Sequence, residues 1–89
     1  MARITHLVLD ILKPHDPPLV AFAQHLAEAS PGLSVLADVV EIDDRTQTLL
    51  VTCEGRDIDL EAISAAITAM GGSLHSVDKV QVINDTSPA

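Results

Sequence analysis

Leu7-Val8-Leu9-Asp10-Ile11-Leu12-Lys13-Pro14-His15 is an aliphatic run with an acid at its centre and a Pro-His exit. Its short length, aliphatic composition and terminating proline make it a strand rather than a helix. Alternation sorts its side chains, with Leu7, Leu9 and Ile11 on one face and Val8, Asp10 and Leu12 on the other. An ionised carboxylate inside such a strand is costly unless it is paired, binds something or stays wet. Asp10 is therefore the first residue to read for function.

Working outward, Asp16-Pro17 reads as a helix start, an N-cap followed by proline at the first helical position. The helix carries Leu19, Phe22, Ala23 and Leu26 at helical spacing and stops near Ser30-Pro31-Gly32. Stretches 33–43 and 48–54 read as two strands joined by the polar turn Asp43-Asp44-Arg45-Thr46-Gln47, an antiparallel hairpin. Asp59 caps a second helix whose stripe is Leu60, Ile63, Ile67 and Met70, with Gly71 as its left-handed stop. A last strand spans 73–83. Residues 1–84 then form a single domain and 85–89 a polar tail.

The order β-α-β-β-α-β is that of the ferredoxin-like α+β sandwich, a four-stranded antiparallel sheet with two helices on one face. Right-handed crossovers put the first and third strands side by side at the centre, read here as parallel, with the fourth beside the first and the second beside the third. With Leu7, Leu9, Ile11, Leu49, Val51 and Cys53 facing the helices, the bare face carries Val8, Asp10, Leu12, Leu50, Thr52 and Glu54. A mixed apolar and acidic face suits a subunit interface enclosing a polar site.

Composition narrows the partners. Of 89 residues 47% are hydrophobic and only Phe22 is aromatic, so the core is aliphatic. A chain this short hides only roughly 60 to 65% of its unfolded surface, and the surplus apolar surface favours self-association. Thirteen acids against five bases give a net charge of −8, which disfavours nucleic acid and anionic membranes and admits cations. The single Cys53 excludes an intrachain disulfide and a multi-cysteine zinc site. Met1-Ala2-Arg3 leads straight into a strand without the pattern of a leader, and no window approaches 18 uninterrupted apolar residues. These features read as cytosolic.

The topology so read brings His15, Glu54, Arg56, Asp57 and His75 to one rim. A register that opposes Asp10 and Asp78 would set two acids face to face, an arrangement a divalent cation or a shared proton would relieve. Oxygen ligands alone suit calcium or magnesium, and recruitment of His15 and His75 suits zinc, copper or nickel.

Each of these residues also has a plain reading. Asp10 can bond backbone or pair with Lys79 or Arg3; His15 can shape its loop; His75 and Asp78 can be solvated; Glu54-Gly55 can be a strand exit. Asp43 and Asp44 read as turn formers, His6 and His25 as incidental, and Cys53 as a small packed side chain. There is no glycine-rich phosphate loop, nucleophile elbow or paired zinc-ligand helix.

The segments 4–15, Val40-Glu41-Ile42-Asp43, and Gly71-Gly72-Ser73-Leu74-His75-Ser76-Val77-Asp78-Lys79-Val80 together resemble the domain of unknown function 211 family, best known from archaea, over nearly the whole chain. The resemblance implies a ferredoxin-like fold and ring-shaped homo-oligomers, in some cases with calcium or other cations, and brings no established activity. Positions matching its pattern are Asp10, Lys13, Pro14, His15, Glu54, Gly55, His75 and Asp78. The chain departs from the family in its second helix, where Ala62, Ser64, Ala65 and Ala66 replace a more acidic stretch, and at Ser30-Pro31-Gly32.

The expectation is a non-enzymatic, ring-forming homo-oligomer that binds a divalent cation through Asp10, His15, Glu54, His75 and Asp78. The alternative is a regulatory module with a small metabolite at the subunit interface. A third reading is a hydrolase or isomerase using His15 or His75 as base.

Overall fold

A computed structural model describes residues 1–85; from Thr86 onward the expected polar tail lies outside the described residues. The elements are β1 (Ala2–Pro14), α1 (Leu19–Ala27), β2 (Ser34–Ile42), β3 (Thr46–Glu54), α2 (Leu60–Ala69) and β4 (Ser73–Asn84). They form one antiparallel sheet in the order β2-β3-β1-β4. This is the ferredoxin-like α+β fold.

The expected side-chain partition of β1 and β3 holds residue by residue. Leu7, Leu9, Ile11, Leu49, Val51 and Cys53 are wholly buried, joined by Phe22 and Leu26 of α1 and Ile63 and Ile67 of α2. Val8, Asp10, Leu12, Leu50, Thr52 and Glu54 keep solvent contact, on a face no helix covers. Among the described residues no helix is long and apolar enough to cross a membrane.

Three readings are corrected. β1 and β3 are neighbours, but antiparallel rather than parallel. The crossover through α1 returns the chain in the direction of β1, and the hairpin then reverses it, so β3 must oppose β1. Second, α1 starts at Leu19 with Pro18 at the N-cap and no side-chain cap. A residue preceding proline is pushed into extended backbone, and Asp16 and Pro17 both precede one, so neither can open the helix. Third, the pairing of β1 with β4 is irregular: it shifts between Ile4 and His6, where the extra residue is Thr5 of β1, and between Val8 and Leu9 and between Asp10 and Ile11, where the extra residues are Asp78 and His75 of β4. Asp10 consequently opposes Ser76, not Asp78.

The start of α2 is as read. Asp59 accepts from Ala62 N at 3.0 Å, satisfying one of the free amides of the first turn. At its far end Gly71 takes φ +81, the left-handed stop that glycine adopts without steric cost. A Cβ on Gly72 would lie 3.1 Å from the Leu12 carbonyl oxygen, so this backbone packs directly on β1.

Lys13 continues the helix-side phase of β1 and is fully buried. Its Nζ donates to the carbonyls of Pro14 (2.8 Å), Pro17 (2.6 Å) and His15 (3.4 Å), using all three of its donors. Burial lowers its pKa from the ordinary lysine value, opposed by the nearby Asp16 charge. At the other end of β1, the Arg3 guanidinium is paired with Asp85 and donates to the Arg56 carbonyl at 2.6 Å. The bond to Arg3 holds the Asp85 carboxyl below its usual range.

Burial pushes the Cys53 thiol from 9.0 up to about 11. Between those values the unfolded chain releases this proton while the folded chain keeps it. The folded state then binds more protons, so the thiol's contribution to stability falls as pH rises through that window, by on the order of 2 kcal/mol. Urea unfolding followed from below pH 9 to near pH 11 should show a larger loss in the native chain than in Cys53→Ala. Equal losses in both would show that the thiol does not drive the alkaline destabilisation.

Candidate functional site

The uncovered sheet face is organised in rows set by the strand register. One row runs Asp38, Leu50, Asp10, Ser76; the next, toward the start of β1, runs Leu36, Thr52, Val8, Lys79; the next runs Ser34, Glu54, His6, Gln81. Apolar side chains dominate between the polar ones. Leu36 is 62% exposed, Leu12 38% and Leu50 36%, which is unusual for large aliphatics gathered on one face.

Within this face the structure brings Asp10 and His75 together. His75 sits at the β4 irregularity beside Ser76, and its Nδ1 lies 3.7 Å from Asp10 Oδ2. They line a shallow hollow of about 260 Å³ with Leu12 and Thr48. At 3.7 Å the contact is an ion pair when the imidazole is protonated and too long for a hydrogen bond.

The remaining expected ligands are elsewhere. His15 leaves the end of β1 and its Nε2 donates to the Asp43 carbonyl at 2.8 Å, lashing the β1–α1 loop to the β2–β3 turn. That bond places the proton on Nε2 and leaves Nδ1 as the available ring nitrogen. Asp78 falls at the second β4 irregularity, where its carboxylate accepts from Ser76 Oγ at 2.7 Å.

Glu54 pairs with His6, near the opposite end of the sheet from His15, with His6 Nε2 and Glu54 Oε1 3.3 Å apart. Arg56 and Asp57 follow Glu54 to that far end, where they line a separate hollow with Ser30, Pro31 and Asp59. The single rim expected from parallel central strands is thus split in two, His15 and His75 at one end and Glu54, Arg56 and Asp57 at the other. Among the described residues no three His, Cys, Asp or Glu side chains converge as metal ligands.

Two residues were undervalued by the sequence. His6, read as incidental, forms the second histidine–acid pair on this face. Its even-numbered position, in phase with Val8, Asp10 and Leu12, was the available signal. Lys13 received no structural role, although its odd-numbered phase with Leu7, Leu9 and Ile11 directs it into the core. His25 is a surface residue with Glu28 nearby at 3.9 Å, and Cys53 is packed and free, both as read.

Comparison with known proteins agrees with the fold and adds no activity. The family model for domain of unknown function 211, described as uncharacterized ArCR, matches residues 5–85. The uncharacterized protein MJ0319 of Methanocaldococcus jannaschii is 41% identical over 80 residues, covering 90% of this chain and 82% of that relative. A match across nearly all of the chain, with the fold and face pattern above, places it in a family: this protein is a member of the domain of unknown function 211 family.

Proposed function

We propose that this protein is a non-enzymatic, self-associating module that forms a closed homo-oligomer and holds a divalent cation between copies, with Asp10 and His75 as the ligands each copy supplies. The observation that carries the reading is the uncovered face itself, where Leu12, Leu36 and Leu50 lie exposed near a paired carboxylate and imidazole. Apolar surface of this kind is stabilised by burial against a second copy.

Two donors per chain are too few for a divalent ion, which takes four ligands as zinc and six to eight as calcium. A second copy and water would complete the shell. One oxygen and one imidazole nitrogen suit zinc, copper or nickel better than calcium. The ion would stabilise the assembly by mass action, because it binds only the associated form.

Native mass spectrometry of the purified protein, before and after chelation and with zinc or calcium restored, tests both parts. The expected result is an assembly carrying stoichiometric metal that dissociates when stripped, reforms with zinc, and fails to do so in Asp10→Asn. An intact assembly without metal under every condition would overturn the cation site, and a monomer throughout would overturn the association.

A further inference from the structure

We propose that the hollow beside His6, toward the start of β1, is a binding site for a small organic monocarboxylate, held by the Lys79 ammonium and the Gln81 side-chain amide. The hollow measures about 510 Å³ and is lined by His6, Lys79, Val80 and Gln81, a volume within the usual range of small-molecule sites. It is distinct from the Asp10–His75 hollow, which is lined by none of these residues.

Local hydrogen bonding leaves the right groups unspent. Thr5 Oγ1 donates to Gln81 Oε1 at 3.0 Å, and Thr5 is buried. The amide oxygen is thereby engaged, and the two N–H donors of the same amide point away from Thr5. Lys79 has no hydrogen bond or ion pair among the described residues, in a chain whose net charge is −8.

The acids of this face are turned to other partners: Glu54 to His6 Nε2 at 3.3 Å, Asp10 to His75 Nδ1 at 3.7 Å, and Asp78 to Ser76 Oγ at 2.7 Å. His6 Nδ1 faces the Thr5 hydroxyl at 3.4 Å. With both ring nitrogens turned to residues of the sheet, the imidazole serves the hollow as a wall rather than a donor. Val80, more than half exposed, supplies apolar surface for an alkyl group.

A carboxylate matches this set better than a phosphate. One ammonium balances one negative charge, and the neighbouring Glu54 within an acidic chain raises the electrostatic cost of a dianion. An ammonium–carboxylate contact near solvent is individually weak, so the affinity belongs in the millimolar range.

The test is titration of the full-length protein with sodium propionate, followed by amide chemical shifts, in chelator and at constant ionic strength with sodium chloride as balance. Chelation removes any cation, so the result is read independently of the Asp10–His75 site. Saturable shifts are expected at Val8, Lys79 and Gln81. Lys79→Gln should weaken binding about threefold to fivefold, whereas Lys79→Arg and the distant Arg45→Gln should retain it; a dispersed spectrum verifies that each variant is folded. Absence of saturable shifts, undiminished binding by folded Lys79→Gln, or saturation by inorganic phosphate in place of propionate would each overturn the proposal.

Discussion

Phe22→Ala should lower the free energy of unfolding by about 3 to 5 kcal/mol, a large part of the roughly 5 to 15 kcal/mol that holds a small domain folded. Phe22 is the chain's one aromatic residue and is wholly buried between α1 and the sheet. The surrounding Leu, Ile and Val side chains are themselves fully packed and have little freedom to close the space its ring would leave. Phe22→Leu keeps most of the volume and should cost less than half as much. Urea denaturation with a common slope reads both; a loss under about 1 kcal/mol for the alanine variant would show that the core collapses around the gap.

Lys13→Met should cost about 2 to 4 kcal/mol, more than is usual for removing a lysine. Methionine preserves an unbranched stem, so most of the loss isolates the ammonium. That group satisfies three carbonyls of the loop between β1 and α1, and without it those oxygens must rehydrate or remain unpaired. Its Nζ also lies 5.8 Å from the centre of the Phe22 ring, within range of a cation–π attraction. The Lys13→Met and Phe22→Leu effects should therefore be non-additive by about 0.5 to 1 kcal/mol in a double-mutant cycle. Strict additivity would show that the ring and the ammonium are neighbours without coupling.

The faces of β1 and β3 were legible in the sequence because each strand alternates strictly and one side is uniformly aliphatic, which leaves a single phase that buries it. The start of α2 was legible because Asp59 carries its own cap. The start of α1 was not, since consecutive prolines override an aspartate that would otherwise cap.

The candidate site was only partly legible, and for a different reason. Alternation gives the face of a residue but not its neighbour on the next strand. Whether Glu54 meets His6 or His15 depends on strand direction, and whether Asp10 meets Ser76 or Asp78 depends on irregularities along β4. A strand at the sheet's edge can absorb extra residues without exposing its neighbours, and nothing in Ser73 to Asn84 announces where it does so.

Those extra residues give β4 an uncommon rhythm. Leu74, Val77 and Val80 oppose Ile11, Leu9 and Leu7, recurring at every third position where an ordinary strand would repeat at every second. Between successive members of this series lie two further positions: His75 with Ser76, then Asp78 with Lys79. Of the three only Leu74 packs against the core, while Val77 and Val80 keep much of their surface exposed, so packing makes few demands on this edge. Substitutions there should leave the fold's own contacts largely intact, making β4 the part of the sheet on which sequence can change at little structural cost.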